Sequence, residues 1–216
     1  EFRDYDYHLV FAGLNEPDAK TAAEIKNLTE YEQVFIDAVR ATGGSNANRV
    51  LVVQAPCTSH ELACGNDYKM PTDPTAQDRL MLEVHYYNPW QFWGMEKDES
   101  WGNCFYYWGK DNHQPGSKHN PNWDCEEDNM RYWLEKLHAK YVTAGIPILF
   151  GEFGANWRNL SGMAGESQEN HDASIYLYYH LLCKYSLELG GMVPMLWDTN
   201  YPNYGMTIID RKKLEV

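Results

Sequence analysis

The sequence predicts an α/β fold with a parallel sheet of the barrel type, and three observations carry that prediction. Five short, nearly continuous apolar runs read as strands buried on both faces: Tyr7 to Leu14, Arg49 to Ala55, Leu80 to Tyr87, Ile146 to Gly151 and Gly191 to Trp197. Segments with helical spacing lie between them, and strand, helix, strand alternation implies right-handed crossovers. Polar residues cluster at the carboxyl ends of the successive runs: Asn15 and Glu16, Gln54, His85 and Tyr87, Glu152, and Trp197. A barrel assembles its site from many strand ends in this way. An open sheet would more often place its ligand at one switch point beside a glycine-rich phosphate turn, and no Gly-x-Gly-x-x-Gly or P-loop pattern is present.

The first run leads through Gly13-Leu14-Asn15-Glu16-Pro17, so a carboxylate closes an apolar strand. A helix follows, with Tyr31, Val34, Phe35, Ala38 and Val39 on one face and a capping box from Thr29 to Glu32 at its start. The link between the second and third runs is poor in helix, with a short turn near Pro74 to Arg79. After the third run, the segment from Asn88 to about Asp124 holds Trp90, Phe92, Trp93, Trp101, Phe105, Tyr106, Tyr107, Trp108 and Trp123. Loops of this length are usually functional or disordered, and so many aromatic residues argue against disorder. Two more helices carry Met130, Trp133, Leu134, Leu137 and Tyr141, then Ile175, Tyr178, Tyr179, Leu182, Tyr185 and Leu189. Between them, Ile148-Leu149-Phe150-Gly151-Glu152-Phe153-Gly154 sets a second glutamate at a strand end. No linker or repeat divides the chain, which reads as one domain over 1–216 with no second domain.

Composition narrows the function classes. A formal charge of -13, from 31 acidic and 18 basic residues with no basic run, would repel a polyphosphate backbone, so nucleic acid is not an expected partner. No stretch reaches the roughly 18 apolar residues that a membrane span needs. The five cysteines are an odd number. Cys57 with Cys64 and Cys104 with Cys125 are near enough to consider as bridges, none has paired Cys-x-x-Cys zinc spacing, and the compartment stays open. Aromatic residues make up 14% of the chain, many in loops, where flat side chains would stack on the apolar faces of pyranose rings.

A carboxylate at the end of an apolar strand costs desolvation energy unless something compensates. One such glutamate is as readily a buried ion pair as a catalytic group. Two placements of the same kind point to acid/base and nucleophilic work on a glycosidic bond, which in the retaining mode needs two carboxyl groups about 5 to 5.5 Å apart. A lone histidine in a strand is more often a core residue, and His8, His60, His113, His119, His138, His171 and His180 have no context that suggests otherwise. Serine-hydrolase and zinc-protease motifs are absent.

Gly13-Leu14-Asn15-Glu16-Pro17, His85-Tyr86-Tyr87, Phe150-Gly151-Glu152-Phe153-Gly154 and Leu196-Trp197-Asp198, in this order, resemble the retaining (β/α)8 TIM-barrel glycosidases of glycoside hydrolase family 5, the cellulase group. The resemblance covers the whole chain but only strands four to eight of such a barrel. It implies Glu16 as acid/base and Glu152 as nucleophile, with Asn15 on the sugar 2-hydroxyl, Tyr87 donating to Glu152 and His85 lining the site near the acid/base. It also implies Trp197 as the stacking platform beside the scissile bond, with a cis peptide bond between Trp197 and Asp198. Trp90, Trp93, Trp101 and Trp108 are candidates for outer subsites, each equally able to pack inside its own loop.

The expected activity is that of an endo-β-1,4-glucanase acting on cellulose or a related β-glucan polysaccharide or oligosaccharide, without cofactor or metal. Mannan, xyloglucan or xylan are alternative substrates, and a non-catalytic carbohydrate-binding fragment is the rival from another class. A complete barrel of this type takes about 250 residues. Strands one to three, with the arginine and histidine the family places on them, and the helix after Trp197 are not found in the chain. The expected partners are therefore a missing N-terminal half-barrel or a second copy, without which the chain should fold poorly. A secreted or cell-surface location is implied by the resemblance alone.

Overall fold

The computed structural model describes residues 1–197. Five strands form one sheet in the order β1-β2-β3-β4-β5: Phe11–Ala12, Leu51–Ser59, Leu80–Tyr86, Ile148–Phe153 and Met192–Leu196. The strands are parallel, with Phe11 opposite Leu51 and Gln54 opposite Glu83 in the first two pairings. Among the described residues five α-helices accompany them: α1 (Ala22–Ala41), α2 (His60–Cys64), α3 (Trp90–Trp93), α4 (Glu127–Lys140) and α5 (Gln168–Leu189). Contacts group the chain into two units, one of Glu1–His85, Glu135–Gly151 and Gly191–Val193, the other of Tyr86–Leu134, Glu152–Gly190 and the chain from Pro194.

In the first unit, α1 buries Ile25, Leu28, Glu32, Ile36 and Arg40, a stripe at helical spacing. Ile36 packs with Leu51 and Val53 of β2, all fully buried, with Phe11, Phe35, Val39, Met70 and Leu80 around them. Truncating Ile36 to alanine here would cost about 2–5 kcal/mol. Two expectations from sequence are corrected in this unit. The capping box is Thr21 with Glu24, not Thr29 with Glu32: Thr21 accepts from the Glu24 N–H, and the Glu24 carboxylate receives the N–H groups of Lys20 and Thr21. Thr29 lies inside the helix and its hydroxyl donates to the Ile25 carbonyl. Both tetrads share one spacing, and Glu32 is turned inward instead.

The second correction is the length of β1, only two residues where eight were expected. The buried guanidinium of Arg49 donates to the carbonyls of Phe2, Tyr5, Asp6 and Leu9, so this segment satisfies its backbone on a side chain rather than on a ladder. Ladder pairing begins only where Phe11 N–H reaches Val50 and Gly13 N–H reaches Val52.

In the second unit, α5 presents His171, Ser174, Tyr178, Leu181, Leu182 and Ser186 inward. The Tyr178 hydroxyl donates toward the carbonyls of Tyr86 and Asn88, and its ring meets Trp108 edge-on at 5.1 Å. The long aromatic loop thus supplies much of this unit's core, through Phe92, Phe105, Tyr107 and Trp108. A second polar lock joins it to the stretch before α5: His119 Nδ1 lies 2.8 Å from Glu166, whose other oxygen accepts from the Tyr107 hydroxyl. All five thiols are free. Among the described residues no helix is long and apolar enough to cross a membrane.

Candidate active site

The glutamate that closes β1 stands on strained backbone. Glu16 has φ 43°, uncommon for a residue with a Cβ and costing on the order of 1–3 kcal/mol, and Pro17 restricts it further. Neighbouring β2 holds it there. Leu14 N–H donates to Gln54 Oε1 at 2.8 Å, and Cys57 N–H donates to the Pro17 carbonyl at 2.9 Å. To reach Pro17, β2 itself bulges: the register with β3 slips between Gln54 and Ser59, and Cys57 and Thr58 take φ 52° and 45°. The Glu16 side chain, half exposed, meets the buried ring of His85 with Oε1 2.8 Å from Nδ1. Asn15 beside it is exposed.

Behind His85 stands a residue the motifs did not single out. Glu83, two positions earlier on β3, shares its face of the sheet. Its Oε1 lies 3.5 Å from His85 Nε2, and its Oε2 accepts from Gln54 Nε2 at 2.7 Å. Gln54, fully buried, also donates its backbone N–H to Glu32. Burial raises the Glu32 carboxyl to about 8, although hydrogen bonds from Tyr68 and Gln54 pull the other way. His60, hydrogen-bonded to the His85 backbone, is lowered to about 4 by burial. Only the step of two from His85 marks Glu83 in the sequence.

In the second unit Glu152 lies on β4 and accepts from the Tyr87 hydroxyl at 2.9 Å. The Tyr87 ring stacks on Trp93, centroids 3.9 Å apart, and Trp93 meets Trp90 edge-on at 5.4 Å. Trp90 stays exposed. Trp197, also exposed, is fixed beside the same strand by its N–H donating to the Phe153 carbonyl at 2.9 Å. Of the four loop tryptophans that could serve outer subsites or pack inside their own loop, Trp108 does the latter: it is fully buried, with Nε1 donating to the Cys125 carbonyl. Trp101 is exposed. Asp198, and with it the expected cis bond after Trp197, lies outside the described residues, as does any helix beyond it.

Parallel strands with carboxylates at their ends, one beside a histidine and one beside a tyrosine, place the chain in the class of (β/α)8-barrel folds, as a partial barrel. The model of the cellulase family, glycosyl hydrolase family 5, matches residues 1–203, and the chain belongs to that family. It is 34% identical over 211 residues to a xyloglucan-specific endo-β-1,4-glucanase of Bacteroides ovatus, covering 93% of this chain and 39% of that protein. It is 30% identical over 224 residues to an endoglucanase A of Paenibacillus barcinonensis, covering 97% and 52%. Among solved structures, a family 5 xyloglucan-specific β-1,4-glucanase from a ruminal metagenomic library, in complex with XXLG, superposes with TM-score 0.82 at 38% identity, covering 98% of this chain and 55% of that one. The chain thus spans about half or less of the length of these curated relatives.

Proposed function

We propose that the protein acts as a retaining endo-β-1,4-glucanase, with Glu152 as nucleophile and Glu16 as acid/base. The observation that carries this reading is the division of partners between the two carboxylates. Tyr87 O–H donates to Glu152 and so holds one oxygen of that carboxylate in place for attack on an anomeric carbon. Glu16 instead meets an imidazole nitrogen, a group able to accept a proton as well as donate one. In the first step Glu152 would bond the anomeric carbon while Glu16 protonates the departing oxygen. In the second, Glu16 would take a proton from the water that releases the sugar. Asn15 would contact the 2-hydroxyl, and Trp197 would carry the sugar ring beside the scissile bond.

Xyloglucan is the first substrate to assay beside a plain cellulosic glucan, because the names of the Bacteroides ovatus enzyme and of the ruminal metagenomic structure both specify it. Glu152→Ala should abolish hydrolysis, and azide should restore turnover to give the inverted glycosyl azide. Glu16→Ala should form the glycosyl-enzyme from aryl glycosides with activated leaving groups at close to the wild-type rate, while its release to water slows. Full hydrolysis by Glu152→Ala would overturn the assignment. Binding in affinity electrophoresis without release of reducing sugar by the wild-type protein would favour a non-catalytic carbohydrate binder.

A further inference from the structure

We propose that Glu83 is a positioning residue for the acid/base: it dictates which nitrogen of His85 carries hydrogen, and so what His85 presents to Glu16. The inference rests on the assignment of Glu16 made above. It begins with Leu14, whose backbone N–H can only donate and therefore fixes the carbonyl end of the Gln54 side chain at 2.8 Å. The amide end of Gln54 then points at Glu83 Oε2, at 2.7 Å. With that oxygen engaged, Oε1 is the atom turned to His85 Nε2 at 3.5 Å. This is an ion-pair distance rather than a hydrogen bond, yet a carboxylate oxygen accepts only, and with Glu16 in its acid form it favours hydrogen on the ring nitrogen that faces Glu83. In the neutral ring the remaining nitrogen, Nδ1, is then an acceptor, 2.8 Å from Glu16 Oε1. Glu16 in its acid form has a partner for its proton.

Space is reserved for this carboxylate. A Cβ on residue 151 would lie 1.9 Å from Glu83 Oε1 and 2.7 Å from its Cδ, so the position before Glu152 is open to Glu83 only as glycine. Glycine inside a strand carries an entropic cost and marks close approach of another group. Within this unit the titratable groups facing His85 are Glu16 at Nδ1, Glu83 at Nε2, and His60 at the backbone, with Glu32 and Tyr68 behind Gln54. Gln54 joins the second tier to the first.

Glu83→Gln tests the inference. Its amide must turn its oxygen to Gln54 and its NH2 to His85 Nε2, which moves the ring hydrogen to Nδ1 and places a donor against Glu16. The substitution also removes a negative charge near Glu16, and both changes favour the ionised form. The alkaline limb of the pH profile of kcat/KM should therefore move down by about half a unit or more. Aryl cellobiosides with poor leaving groups should lose at least about 10-fold, while the dinitrophenyl glycoside, which needs no acid, should lose little. Glu83→Asp, which keeps the charge, should return the limb toward its wild-type position even if it melts earlier. A limb that does not move in folded Glu83→Gln, or an equal loss across leaving groups, would show a merely structural carboxylate and overturn the proposal. Glu16→Gln run beside it separates the premise: if that variant also shows no dependence on leaving group, the acid/base assignment has failed rather than the role of Glu83.

Discussion

The ring of Tyr87 lies against that of Trp93 with planes 21° apart, while its hydroxyl donates to Glu152. The tryptophan therefore orients the donor that serves the candidate nucleophile. A stacked pair of this kind is worth about 0.5–1.5 kcal/mol beyond the area it buries. Tyr87→Phe keeps the stack and deletes the hydrogen bond, and should slow formation of the glycosyl-enzyme about 10- to 100-fold with little change in melting temperature. Trp93→Ala should lower the same step by letting Tyr87 swing away. The double variant should be no worse than the poorer single one, as pre-steady-state kinetics with aryl glycosides would show. Additive losses would mean that Trp93 acts only as a sugar platform.

Gly151→Ala should force Glu83 off its place, because the new methyl would sit on Oε1. The expected cost is about 1–3 kcal/mol, in the range of overpacked interiors, together with the alkaline-limb shift of Glu83→Gln. Adding Glu83→Ala should recover much of the stability and none of the pH behaviour. Urea melts of the four proteins in this cycle give the coupling directly.

Arg49 offers a sharper stability test. Its guanidinium is buried and serves four backbone carbonyls near the amino end as well as the Asn46 side chain. Arg49→Met fills similar volume but leaves those carbonyls without their donor, and should cost about 3 kcal/mol or more. Hydrogen exchange and proteolysis should localise the loosening to residues 2–10.

Stability should depend on pH through two buried groups of opposite sign. Glu32, ordinarily near 4.5, is raised to about 8 by burial, so between those values the folded chain holds a proton that the unfolded chain has lost. Stability therefore falls as pH rises through this window. His60, ordinarily near 6.5, is lowered to about 4 by burial, so its contribution is present above 6.5 and falls away as pH drops toward 4. Between 4.5 and 6.5 the two slopes oppose each other, and above 6.5 Glu32 acts alone. Urea midpoints across this range should decline from pH 6.5 to 8, and Glu32→Gln should flatten that decline. An unchanged decline in the variant would assign it to another group.

The sequence by itself determined the strands, the main helices and the family. Short apolar runs separated by helical spacing read as buried parallel strands, although the first run pairs over only two residues, and the glutamate motifs at their ends are local in the chain. Helix starts were less legible, because Thr21 to Glu24 and Thr29 to Glu32 carry one signal, and only packing decides which glutamate caps a helix and which turns inward. The same holds for Trp108 and Trp90, alike in composition and neighbourhood but opposite in burial. Glu16 and Glu152 could be named from their motifs, as could His85 and Tyr87. What only the tertiary structure decided is what stands behind them. Gln54, Glu83 and Gly151 come from three strands far apart in the chain, and the alternation of a strand says only that Glu83 and His85 share a face. That Glu83 meets Gln54 and fills the space above Gly151 follows from strand register and from the few ångströms between neighbouring side chains, quantities no local pattern contains.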